Sequence, residues 1–187
     1  MSPSRSLSQS ATVLVLAFTL ACRSGPAPDG TQTGGRGRIE ATWTDSAGTT
    51  RFAVPAVGRW CVSDSLLEIT AARRDSAIGI VLLAGDSSLA RLAAGTYSVM
   101  PANVFIPWRP RALAALQLAG TEAVRQYQSG TGQVEVTGVG PEGISGRFEL
   151  RLVASPGTDS VIVTGEFHRV TGIAAPPPCG RMDKLPG

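Results

Sequence analysis

Residues 133–170 read QVEVTGVGPEGISGRFELRLVASPGTDSVIVTGEFHRV, and their period of two decides the fold. In 144–153 the apolar Ile144, Phe148, Leu150 and Leu152 fall on one side, with Arg147, Glu149 and Arg151 on the other. That is the pattern of a strand with one face in a core and one in water. Segments 133–137 and 160–170 alternate in the same way, and the connectors 138–143 and 154–159 are rich in turn-forming Gly, Pro, Ser and Asp. Three such segments predict an antiparallel meander.

Upstream the same period continues. Ile39, Ala41 and Trp43 alternate with Glu40, Thr42 and Thr44, and the DSAG cluster at 45–48 reads as a turn into a second strand over 49–54. Residues 60–62 and 66–71 predict further strands, with Leu67, Ile69 and Ala71 opposite Glu68 and Thr70. The continuous apolar run 78–83 has strand length and is expected to be buried on both faces. A short strand at 96–100 follows Gly95. Residues 111–128 (RALAALQLAGTEAVRQYQ) support two readings: a short helix, from their Ala, Leu, Gln and Glu, or paired strands, from the alternation of Ala112, Ala114, Leu116 and Leu118. Gly120 interrupts both. No repeat of solenoid or propeller length is visible. The expected fold class is therefore all-β, an antiparallel β-sandwich or open β-barrel, with one short helix around 111–128 as the open alternative.

The chain has 187 residues, 43% hydrophobic and 17% charged, a composition that excludes extended disorder and suits one domain. Its 17 cationic and 14 acidic residues are scattered, so there is no basic face to track phosphates and nucleic acid is not an expected partner. Gly138, Gly140 and Gly143 spell GxGxxG, but a strand follows where pyrophosphate binding needs a helix N-terminus, and Pro141 removes an amide; the glycines read as a turn. His168 is the only histidine, which excludes zinc chemistry of the HExxH kind. Alternation places it beside Glu166 on the face opposite Phe167, a solvated pair unless a cleft encloses it. Neither a GxSxG elbow, an SxxK motif nor an EF-hand loop is present. The expectation is a non-catalytic protein with no cofactor and no metal.

Trp43 and Trp60, at strand positions, read as core. Trp108 lies in VMPANVFIPWRPR (99–111), where three prolines discourage central pairing. Phe105, Trp108, Arg109 and Arg111 form a candidate partner-binding loop, with a buried crossing between sheets as the competing reading.

At the N-terminus a polar stretch with one cation, Arg5, precedes the uncharged ATVLVLAFTLA of 11–21, the two parts of a secretory leader. Eleven helical residues reach about 16 Å, roughly half a bilayer core, so a permanent span is not expected. The run ends in Phe18-Thr19-Leu20-Ala21-Cys22, which resembles the lipobox of bacterial lipoproteins. The resemblance implies cleavage before Cys22 and acylation of its thiol and new amine, two or three chains being enough for firm anchoring. Arg23 stands where that family's inner-membrane retention signal has Asp, which implies the outer membrane. Ile144-Ser145-Gly146-Arg147-Phe148 followed by Val161-Ile162-Val163-Thr164-Gly165-Glu166-Phe167 also resembles a motif of uncharacterised secreted bacterial lipoproteins, implying an all-β domain and no particular activity.

On this reading residues 1–21 are a signal peptide, 22–37 a Gly- and Pro-rich flexible linker carrying lipidated Cys22, 38–173 the β-domain and 174–187 a Pro-rich tail. The linker scaling places the domain roughly 20 Å from the lipid surface on average. Setting Cys22 aside leaves Cys61 and Cys179, an even pair in a chain sent to an oxidising space. A disulfide between them would close a loop of about 120 residues and contribute on the order of 4 to 5 kcal/mol through the unfolded chain. Two thiols, or part of a metal site, are the alternatives. The expected role is a lipid-anchored cell-envelope protein that presents its β-domain to an envelope protein or glycan. The alternative is a β-module binding carbohydrate, lipid or another small ligand.

Overall fold

The computed structural model describes residues 37–45, 48–61, 66–84, 92–101, 104, 110–120 and 123–174. Ten strands account for most of them: β1 (Gly37–Asp45), β2 (Gly48–Cys61), β3 (Leu66–Arg73), β4 (Ser76–Leu83), β5 (Gly95–Val99), β6 (Arg111–Ala119), β7 (Val124–Gly140), β8 (Gly143–Ala154), β9 (Ser160–Val170) and β10 (Gly172–Ala174). They form one mostly antiparallel sheet that closes almost into a ring. Neighbours run β1, β9, β8, β7, β6, β4, β3, β2, and β2 pairs back with β1 from Asp45↔Gly48 to Gly37↔Ala56. Of the two architectures expected, the barrel is the one adopted.

Two short strands complete the wall where long ones diverge. β6 pairs with β7 only over Ala115–Ala119, and beyond that point β5 wedges between them, antiparallel to β7 and parallel to the start of β6. At the divergence Ser129 replaces the missing ladder: Ala114 N–H donates to Ser129 Oγ, which donates to Ala114 O at 2.9 Å. Similarly β1 begins opposite Ala56, and on that side residues 58–60 of β2 are paired in parallel by β10.

An interior just wide enough to be filled by side chains is the expected geometry for a barrel of about eight strands. Alternating residues of the long strands point into it, with the parity of β7 changing between Ser129 and Val134 across its register shift, and Ile39, Trp43, Phe52, Ile69, Leu116 and Phe167 belong to one continuous buried cluster. Trp43, 2% exposed, packs on Phe52 with ring centroids 5.8 Å apart. Trp60 is half-buried against the same cluster. Ser76 is buried at the start of β4, where its hydroxyl donates to Asp75 and receives a bond from Arg73.

One open reading is settled and two expectations change in detail. Residues 111–119 and 124–128 are paired strands, and there is no helix among the described residues. The reason is that Ala112, Ala114, Leu116 and Leu118 are all buried, which period two satisfies and a helix, scattering them around its axis, does not. The run 78–83 is buried on one face only: Ile78, Ile80 and Leu82 are core, while Gly79, Val81 and Leu83 are half-buried on the outer wall. Finally, β2 is a single 14-residue strand through Pro55, with β3 joining it only from Ala56. The proline thus stands where β2 has just one neighbour to satisfy.

Candidate functional site

The two ends of the barrel differ. At one end the strands are joined by tight connections: 46–47, 74–75, 120–123 and 155–159. Asp45 and Arg125, at strand ends nearly opposite each other in the ring, meet there through Arg125 Nη2 and Asp45 Oδ2 at 2.8 Å. The Asp45 carboxylate holds the Arg125 pKa above its usual range. The other end carries the long connections 84–94 and 100–110, the shorter 62–65 and 141–142, the entry of the chain at Gly37 and its exit at Ala174. Tight turns leave little surface for recognition, whereas long connections on a rigid scaffold are where binding residues concentrate.

Of the candidate loop, Arg111 is described: it opens β6, half-buried, opposite Leu83 of β4 and Ser98 of β5, and so stands at the long-connection end. Phe105, Trp108 and Arg109 lie outside the described residues, as do Cys22 and Cys179. Cys61 ends β2 and is 7% exposed. Among the described residues it is the only cysteine, and there is no disulfide.

His168 and Glu166 meet on the outer wall of β9, as alternation predicts, with Nε2 3.1 Å from Oε1. No cleft encloses them: both side chains are about half exposed, at 50% and 53%. Glu166 belongs to a cross-strand row of Glu40, Glu166, Arg147 and Glu135 on β1, β9, β8 and β7. Arg147 pairs with Glu135 at 2.7 Å, and Arg38 with Glu40 at 2.8 Å. Exposed pairs of this kind contribute little to stability, about 0 to 1 kcal/mol each, and the charged row marks this face of the wall as solvated. Among the described residues no group of three or more His, Cys, Asp and Glu is placed to hold a metal ion.

Sequence reading missed a groove. β7 and β8 shift register between Ser129 and Thr131, and an open depression of about 450 Å³ lies on the outer wall beside the shift. Its lining includes Thr131, Gln133, Glu149, Arg151 and the exposed Ile162. The Gly130 and Gly132 of QSGTGQ were the available signal, since glycines inside a strand mark bulges.

No protein-family model, no curated protein and no solved structure matches this chain.

Proposed function

We propose that the chain is a non-catalytic lipoprotein of the bacterial cell envelope, anchored through acylated Cys22 in the outer membrane, with its barrel presented for binding or assembly. The observation that carries this reading is the FTLAC sequence at 18–22, followed by a Gly- and Pro-rich stretch that runs into the first strand at Gly37. Two structural features support it. Side chains of the barrel itself fill its interior, and the long connections gather at the end where the chain enters. The binding face is accordingly the 84–94 and 100–110 connections, with Phe105, Trp108, Arg109 and Arg111 as the contact residues. Export also supplies the oxidising space in which Cys61 and Cys179 would pair. Affinity capture from detergent-solubilised envelope tests the binding role: a partner retained by the native protein and lost with Trp108→Ala supports it, and identical capture by both contradicts the assigned face.

The groove beside the β7–β8 register shift favours a second reading, a module for a small polar ligand such as a sugar, held by Gln133, Glu149 and Arg151 against Ile162. A ligand that raises the melting temperature of the native protein but not of Arg151→Ala supports it.

A further inference from the structure

The outer wall of the barrel has two different faces. On β1, β9 and β8 the outward side chains include Arg38, Glu40, Arg147, Glu149, Arg151 and Glu166, three of each charge. On β3, β4 and β6 the character changes. The outward positions of β4 are Ala77, Gly79, Val81 and Leu83, without one polar side chain. The strand registers join them to apolar neighbours: Leu66 stands opposite Leu83, Val81 opposite Leu113 and Gly79 opposite Ala115. These residues are half-buried, and Val57 of β2, which extends the face through Thr70, is 50% exposed. The run 78–83 is thus apolar on both sides although only one side lies in the core. A contiguous apolar face on the outside of a fold marks an interaction surface.

Its size, charge and reach select the occupant. Four strands at about 4.8 Å, and the length from Ala77 to Leu83 at about 3.3 Å per residue, give a face on the order of 300 Å². A stable protein interface takes about 800 Å² per partner. Two rigid convex walls also meet along a narrow strip, whereas a fluid bilayer surface conforms to one. The wall and the tight turn at its end carry Arg59, Arg73, Arg74 and Arg111 against Glu68 and Asp75. That net positive charge opposes a second copy and favours anionic headgroups. Cys22 lies fifteen positions before Gly37, a contour of up to about 50 Å. A strand of β4's length is about 26 Å long, so the tether lets the wall lie flat on the surface that holds it.

We propose that the outer face of β3, β4 and β6 is a second membrane contact, laying the barrel on its side against an anionic lipid surface. The charged β1, β9 and β8 wall then faces water, and the long connections stay open at the barrel's end. The contact rests on the lipid-anchored reading for its nearness to a membrane, and on the strand registers for its composition.

The test uses the mature protein purified from envelope and reconstituted into vesicles of phosphatidylcholine and phosphatidylglycerol that contain a phospholipid with a diazirine on its acyl chain. Illumination is expected to label peptides from 66–83 and 111–119 several-fold more than peptides from 144–168. The label should fall several-fold in vesicles of phosphatidylcholine alone. Val81→Glu, with its melting temperature measured alongside, should lose most of the label, and Thr164→Glu on the opposite wall should keep it. Label spread evenly over both walls, label confined to the N-terminal peptide, equal label in neutral vesicles, or cross-linking of β4 to β4 of a second copy in place of lipid overturns the contact. The mass of the N-terminal peptide in the same digest reports on the anchor separately. An unmodified Cys22 with a labelled wall contradicts the anchor alone, and an acylated Cys22 with an unlabelled wall overturns the contact alone.

Discussion

Phe148 lies directly opposite Gly165 across the β8–β9 ladder, and its ring occupies the space where a side chain on Gly165 would begin: a Cβ there would be 2.6 Å from Phe148 Cζ. The relation is reciprocal, since Phe167 pairs with Gly146 and covers it in the same way. The paired ISGRF and VIVTGEF segments are therefore two halves of one packing device, each glycine making room for the other strand's aromatic ring, which shields the bare backbone in turn.

Gly165→Ala should consequently destabilise the barrel by about 1 to 3 kcal/mol through overpacking. Urea unfolding measures it. The Glu40 carbonyl oxygen of β1 also stands against that Cβ, so trimming the opposing ring in Gly165→Ala/Phe148→Leu should recover only the share of the loss due to Phe148, a non-additivity expected of residues in contact.

Ser129 is the only described link between Ala114 and β7 at the point where β5 enters. Ser129→Ala leaves a buried N–H and C=O without partners, a loss of about 1 to 3 kcal/mol. Hydrogen exchange should locate the damage at Ala114.

Asp75 sets one component of acid sensitivity. Bonds from the Ser76 hydroxyl and then the Arg73 guanidinium hold its pKa below the ordinary aspartate value. A carboxylate with a depressed folded pKa adds stability that is fully present above the unfolded value, about 3.9, and is lost as pH falls through the folded value. Asp75→Asn should therefore lower stability at neutral pH and flatten the decline below about pH 4. Equal slopes for the two proteins in that range would contradict the assignment.

The tryptophans should separate by role. Trp43→Ala removes a buried ring packed on Phe52 and should cost about 3 to 5 kcal/mol. Trp108→Ala should leave the melting temperature nearly unchanged and weaken partner capture. A loss at Trp108 as large as at Trp43 would make it a core residue.

Most of the barrel was legible because its strands report burial directly: in β3, β6 and β8 the alternating residues named from the sequence are the ones in the core. Less visible was what depends on neighbours distant in the chain. Residues 111–128 have a helical composition, and only pairing with β4 and β7 settles them as strands. Pro55 reads locally as a break, yet β2 runs through it because β3 joins only from Ala56. The His168–Glu166 pair was legible as a solvated pair, since alternation alone put both on the outer wall. Neither the groove nor the contact of Asp45 with Arg125 was: the groove turns on a local register shift between β7 and β8 that alternation alone does not reveal, and the Asp45–Arg125 contact joins strands far apart in the sheet order.

The intact mass of the mature protein, extracted from envelope, tests the lipid-anchored reading most directly. The account predicts a chain beginning at Cys22 with the added mass of two or three acyl chains. A chain that retains residues 1–21, or that carries an unmodified thiol at Cys22, would contradict it.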